Sequence, residues 1–436
     1  MTVRLHHRTG VLLLALAVLL GACSGGDSTG ADGTGDNGSG ERTELLLLLV
    51  GGPEEIAGYE RMATAFEADN PDLDLVISPV ARQDDLLGRL STSMSAGSPP
   101  DLFLINFRKY GQYAEVGALV PVQPFLDASE VLSEDDFVDP PLDAFRFDGT
   151  ELTCQPQNVS SLVVYVNVDL FEAAGIAVPH DGWTVSEFRA AAAAMTGDGT
   201  YGLGTEPSLI RVAPFVWSNG GEVVDDVDAP TRLTLDTGPA RDALDTFLDL
   251  ALVDGVVPPE AEELSEDAES RFIRGGLGMY LNSRKSTPIL RTIDGFEWDV
   301  VPLPVADGGG DAVTMLHSDA YCISAGTGNE DAAWRVIEFA MSDLGQEILA
   351  ESGRTVPSRI SVLESPAFLE PELPPASAQV FADNARIARA TPHVPEWAAV
   401  EKAADDILAA IFYGRIDREE GVARLHEDTA RLFGGQ

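Results

Sequence analysis

The sequence predicts an α/β fold, and three observations carry that expectation. From residue 44 onward, apolar runs of strand length alternate with segments of helical period. The first such run, Leu45 to Val50, is apolar throughout, the pattern of a parallel strand covered on both faces. The chain has 436 residues, enough for two packed lobes or two to three domains.

The elements follow in order. Gly51-Gly52-Pro53 ends the first strand, and Pro53 suits the first turn of a helix. Ile56, Tyr59, Met62, Ala63 and Phe66 then recur at helical spacing until Asn70-Pro71 stops the helix. Leu73 to Val80 is a second strand, with Leu86, Leu87, Leu90 and Met94 marking a helix behind Asp84. Asp101 to Asn106 is a third strand, followed by Tyr110, Tyr113 and Val116 on a helix. This β-α-β-α-β order is one half of an open sheet. A second unit begins near Leu152, with strands at Ser161 to Asn167, Leu277 to Leu281 and Trp298 to Leu303. Thr184-Val185-Ser186-Glu187 fits a capping box opening the helix of Phe188. Pro239 opens a helix with Ala243, Leu244, Phe247 and Leu248 on one face. Asn329 opens another, which turns Ala333, Trp334, Ile337 and Met341 inward. Val400, Ala404, Ile407, Leu408, Ile411 and Phe412 mark a helix stopped by Gly414, and a last helix follows Asp417.

Lys+Arg is 28 against 71 Asp+Glu, a formal net charge of −43. So negative a surface repels phosphate backbones, which argues against nucleic acid, and it gives anionic lipid no basic patch to bind. It also favours an uncharged ligand over a phosphate or sulfate ester, although a local arginine cluster would override that preference. Only Lys109, Lys285 and Lys402 supply lysine. The histidines show no HxH or HExxH spacing, and a Walker A motif is absent from the sequence, so neither a metal centre, a cofactor nor catalysis is expected.

Residues 1–22 have the form of a secretory leader. Arg4 and Arg8 precede the apolar run Val11 to Leu20, which is too short to span a membrane. Leu20-Gly21-Ala22-Cys23 resembles a bacterial lipobox, which implies cleavage before Cys23 and lipidation of its sulfur. Cleavage there removes two arginines and no acid, leaving the exported part at −45. Residues 24–43 are rich in Gly, Ser, Thr and Asp and form a flexible tether, about 25 Å end to end as a coil. The expected location is the cell membrane, held by lipid alone and facing outward.

Seven motifs in the body then stand in a recognisable order. They are Gly51-Gly52-Pro53-Glu54-Glu55, Phe66-Glu67-Ala68-Asp69-Asn70-Pro71, Ala96-Gly97-Ser98-Pro99-Pro100-Asp101, Tyr165 through Gly175, Trp183 through Phe188, Trp217 through Gly221, and Gly278 through Asn282. Together they resemble the family 1 extracellular solute-binding proteins of bacterial ABC importers, the maltose-binding-protein-like group. The resemblance implies a type II periplasmic-binding-protein-like fold: two lobes, each an open, mostly parallel sheet flanked by helices, joined by a multi-strand hinge. It places lobe I at 44–153 and 325–386, lobe II at 157–320 and 393–436, and the crossings near 153–157, 319–325 and 385–394. It also implies a monomer that captures a neutral sugar or oligosaccharide and delivers it to permease subunits by hinge closure. Cys154 and Cys322 fall on hinge strands that run side by side in this architecture. Two cysteines in an exported chain suggest a disulfide, with paired buried thiols as the other reading.

In open α/β sheets a ligand binds beyond the carboxyl ends of the strands. That rule selects Gly52, Glu54 and Glu55 after the first strand, Asn106 and Arg108 after the third, and Asn282 and Arg284 in the second unit. Sugars ask for aromatic faces to stack on and for planar hydroxyl readers. Trp217, with Asn219 and Gly220 beside it, is the stacking candidate, and core packing is its alternative. Asn158 and Asp319 beside the crossings are hydroxyl readers, and Arg354 joins Arg284 as a cationic candidate. Tyr59 and Tyr110 are weaker candidates, while Trp183, Trp298 and Trp334 are assigned to packing. The same fold would also suit a polyol phosphate, a polyamine or an iron chelate. A surface glycosidase is the remaining alternative, although its adjacent acid pairs, such as Asp84-Asp85, resemble solvated surface.

Overall fold

β1 (Thr43–Val50) buries Leu45, Leu47 and Leu49 completely because parallel strands flank it on both sides, β2 (Leu73–Val80) and β3 (Leu102–Asn106). The computed structural model describes residues 42–434; the leader, Cys23 and most of the tether lie outside the described residues. Helix α1 (Pro53–Asp69) connects β1 to β2, α2 (Gln83–Ser95) connects β2 to β3, and α3 (Phe107–Glu115) follows β3 directly.

The first sheet runs β2-β1-β3-β11-β4, with β5 paired to β11. Here β4 is Leu119–Val120, β5 is Gln155–Pro156 and β11 is Asp319–Ser324. Late in sequence, β11 inserts antiparallel between β3 and β4. The second sheet runs β7-β8-β6-β9, from β6 (Leu162–Asn167), β7 (Tyr201–Gly204), β8 (Leu277–Ser283) and β9 (Trp298–Val301). It is mixed: β7 is parallel to β8, whereas β6 is antiparallel to both neighbours. The mostly parallel pattern expected of each sheet thus holds for β1 to β3. It gives way where strands return from elsewhere in the chain. A two-stranded piece pairs β10 (Thr314–Met315) with β12 (Ala388–Arg389). β9 ends before Pro302, which has no N–H for a ladder.

Cys154 and Cys322 are disulfide-bonded, with Cα atoms 4.6 Å apart. The register Tyr321↔Gln155 and Ala320↔Pro156 carries the antiparallel pairing straight to these two residues. Trp334 stacks on Phe125 at 5.7 Å, and Trp183 donates its indole N–H to the Pro302 carbonyl (2.9 Å) and meets Phe188 edge-on. The Thr184–Glu187 capping box forms as the sequence predicts.

The helix Trp397–Phe412 packs against α3 and against the helix Leu209–Ser218. Asp405 accepts a 2.7 Å hydrogen bond from the Leu209 N–H, at the N-terminus of that second helix. Burial raises its carboxyl to about 7; Glu401 adds to the shift and the Leu209 bond opposes it. In the unfolded chain this carboxyl titrates near 3.8, so through that window the folded state holds the extra proton. Asp405 therefore adds stability as pH falls, about 1.4 kcal/mol between pH 8 and pH 6. His317 and His393, whose pKa values burial lowers, act in the opposite sense. The contribution of Asp405 is thus isolated as the difference between wild type and Asp405→Asn, which keeps an acceptor for Leu209. Urea unfolding at both pH values is expected to show the wild type gaining that amount relative to the variant, and parallel pH responses would refute the assignment.

Candidate functional site

The chain ends of β1, β3 and β8 converge on one cleft, and the β3–β11 register sets its floor. Asn106 and Asp319 are direct cross-strand partners, and the Asn106 Nδ2 donates to the Asp319 carboxylate at 3.2 Å. Asn158 joins them: its Nδ2 lies 3.4 Å from the other Asp319 oxygen, and its Oδ1 accepts from the Asp319 N–H at 3.1 Å. Burial raises the Asp319 carboxyl above the usual range against the pull of both amides. Asn106 also caps α3, accepting from the Arg108 N–H, while the Arg108 guanidinium reaches Glu401 at 2.7 Å.

Glu55 stands in the first turn of α1, and Arg354 pairs with it at 3.0 Å. Burial raises the Glu55 carboxyl, although Arg354 opposes the shift. From the second sheet, the Asn282 Oδ1 accepts from Arg211 Nη2 at 3.3 Å. These groups line an inner cavity of about 280 Å3 together with Ser160, Glu206, Lys285 and His317. A larger outer cavity of about 570 Å3 adjoins it, sharing Glu206, Asn282, Lys285 and Arg354 and adding Glu54, Glu269 and Tyr280. Of the residues proposed from sequence, Glu55, Asn106, Arg108, Asn158, Asn282, Asp319 and Arg354 therefore meet in the inner cavity, and Glu54 lines the outer one. Gly52 lines neither cavity and is the N-cap of α1, with an ordinary φ of −80°.

Four proposed residues lie elsewhere. Trp217 is 7% exposed and lines a separate cavity, where the Arg389 guanidinium sits 4.8 Å from its ring centroid. Trp217 is six residues beyond Arg211 on one helix, about 240° around the axis, so when Arg211 faces the cleft Trp217 faces away. Asn219 ends that helix and bonds the Pro239 carbonyl, and Gly220 takes the left-handed φ of 78° that helix exits favour. Arg284 is fully buried beneath the cleft, against Phe368 and Phe381. Tyr59 and Tyr110 are both core residues.

Sequence reasoning missed Arg211, Lys285, Glu206, Ser160 and His317. Arg211 had a signal: it is the only charge in the apolar helix Leu209–Ser218. Lys285 had one too, as one of three lysines in the chain. The His317 imidazole is held well below its usual pKa by burial first and then by Arg108, Arg211 and Lys285, so it is neutral at physiological pH. Among the described residues lining the inner cavity there is no Phe, Tyr or Trp, and the aromatic Tyr280 belongs to the outer one. The inner site is therefore a hydrogen-bonding and charged chamber rather than a stacking platform.

Comparison with known proteins gives this arrangement a family. The model of the bacterial extracellular solute-binding proteins matches residues 52–347. The diacetylchitobiose binding protein DasA of Streptomyces coelicolor is 24% identical over 426 residues, spanning 92% of this chain and 93% of that protein. Among solved structures, the Listeria monocytogenes substrate-binding protein Lmo0181, in complex with cycloalternan, superposes with a TM-score of 0.81 at 20% identity, covering 90% of this chain and all of that one. The sugar-binding protein MalE of Xanthomonas citri gives 0.79 at 20% identity, over 90% and 98%. These two structures share this chain's fold. On the family match and this architecture, the chain belongs to the bacterial extracellular solute-binding proteins.

Proposed function

We propose that the protein binds a sugar or short oligosaccharide in this cleft and hands it to the permease subunits of an ABC importer. The observation that carries the proposal is the ring of planar hydrogen-bonding side chains: Asn106, Asn158, Asp319 and Arg354 on the side of the first sheet and Asn282 from the second. Such groups pair with sugar hydroxyls as donors and acceptors at once. The sugars named for DasA and for the Listeria protein support the same ligand class. In this reading the lobes are 44–153 with 325–386 and 157–320 with 393–436. The strands β5, β11 and β12 lie in the hinge, and closure about it presents the loaded form to the permease. The body acts as a monomer outside the cell, tied to the membrane by lipid on Cys23, and releases its ligand unaltered.

Calorimetric titration of the purified mature protein against mono-, di- and oligosaccharides is expected to show saturable one-site binding. Binding of polyamines or iron chelates alone, or turnover of a glycoside, would overturn the proposal. Asp319→Ala removes the acceptor that orients both Asn106 and Asn158. It is expected to weaken sugar binding about 10- to 100-fold, the range of a hydrogen bond to a charged group. Unchanged affinity in that variant would place the ligand elsewhere.

A further inference from the structure

Two cations of the inner cavity are incompletely paired: Arg211, which is buried, and Lys285, which is open to solvent. Arg211 is 3% exposed, and a buried guanidinium costs several kcal/mol unless its donors and charge are matched. Its Nε has no partner among the described residues. Its one ion-pair partner among the described residues, Glu206, lies 3.6 Å away with a side chain 68% exposed. Arg108 and Arg354, by contrast, are paired with Glu401 and Glu55 at 2.7 and 3.0 Å. Lys285 lines both cavities, and among the described residues it has no hydrogen bond or ion pair. Burial lowers its pKa, as do Arg211 and Arg354, while Glu206 opposes them. Two further polar atoms stand unpartnered beside this pair, Ser160 Oγ and His317 Nε2, on backbones that bridge to each other. Arg211 Nε, Ser160 Oγ and Lys285 Nζ are all able to donate, and nothing among the described residues accepts from them.

We infer that the inner cavity is a subsite for the carboxylate of an acidic sugar, held by Arg211 and Lys285 with Ser160 and His317 beside it. The inference rests on the sugar-binding reading above and names its ligand class, a sugar bearing one uronic acid, since the outer cavity, lined by Glu54, Glu206, Glu263, Asp267 and Glu269, repels further carboxylates. A carboxylate suits the edge of a guanidinium and brings one negative charge. A phosphate dianion would bring nearly two into a cavity that also holds Asp319, Glu55 and Glu206. The remaining wall, Asn106, Asn158 and Asn282, is left for ring hydroxyls. The net charge of −43, which by itself favours a neutral ligand, acts mainly at long range, where salt screens it beyond about 8 Å. Inside the cavity the unmatched cations decide.

The test is titration of the mature protein with galacturonic and glucuronic acids and disaccharides bearing one of them, each beside its neutral counterpart. Glucose 6-phosphate and inorganic phosphate serve as the alternative anions. The uronic acid is expected to bind at least about tenfold more tightly than its neutral partner, as a buried charge-assisted bond implies. Lys285→Met, at an open position, is expected to cut that preference to below about threefold, and Arg211→Gln to do the same where it folds. Neutral sugars bound as tightly as the acids would overturn the inference and leave the sugar-binding proposal standing. Tighter binding of the sugar phosphate, with competition by inorganic phosphate, would overturn the carboxylate assignment. Binding of no sugar of either kind would bring down both.

Discussion

A Cys154→Ala/Cys322→Ala double variant is expected to lose about 2–5 kcal/mol of stability, lowering the melting temperature by up to about 6 °C for a body of this size. The bridge joins residues 168 apart in sequence, and cross-linking so long a loop removes much of the freedom of the unfolded chain. The chain-entropy model gives about 5 kcal/mol as its upper bound. Both cysteines are fully buried, so alanine, which leaves no unpaired hydroxyl behind, is the appropriate replacement. Wild type unfolded in urea with reductant is expected to match the double variant to within about 1 kcal/mol. Identical midpoints for oxidised wild type and the double variant would show that the bridge contributes nothing.

Arg284→Ala is expected to cost about 3–5 kcal/mol, the usual penalty for breaking a buried charged network from one side. The side chain has no exposed surface. Its Nε donates to the Gly353 carbonyl at 3.1 Å, its Nη2 to the Phe368 carbonyl at 3.0 Å and to Glu370 at 3.2 Å, and its guanidinium lies 4.2 Å from the Phe368 ring centroid. Burial lowers its pKa to about 10, so it is charged at neutral pH. Alanine leaves two buried carbonyls without donors and a cavity between β8 and the helices around Phe368 and Phe381. Arg291 still pairs with Glu370 at 2.7 Å, which limits the loss on the acidic side. Sugar affinity, measured well below the melting transition, is expected to stay within about twofold because Arg284 lies outside the cleft. A comparable loss of affinity would instead make it a ligand contact.

Much of the cleft was legible because the strand-end rule uses only connectivity. Glu55, Asn106 and Asn282 follow from where β1, β3 and β8 stop, without knowledge of any contact. Asn158 and Asp319 needed the crossings that the family resemblance supplied. Orientation within an element was harder to read. Arg284 and Lys285 are neighbours in one tight turn after β8, yet one packs beneath the cleft and the other lines it. Trp217 looked polar in its surroundings because Ser218, Asn219 and Gly220 follow it, but those residues end a helix rather than line a ligand. The antiparallel insertion of β11 left no mark in composition, since an apolar run pairs equally well in either direction.

The position of β11 also governs when the protein can take shape. β3 needs residues 319–323 as its neighbour, and β4 needs the last residues of the same strand. At about 5–20 residues per second, roughly 10–40 s separate synthesis of β4 from that of β11. Throughout that interval Leu102, Phe103, Leu104 and Ile105 have an open edge where their partner belongs, and such an edge invites pairing with other chains. About three quarters of the polypeptide must exist before the first sheet can close. A chain built this way remains threadable while it is being made, which suits passage through a translocation channel. It also makes nascent β3 the stretch that a holding chaperone would have to shield.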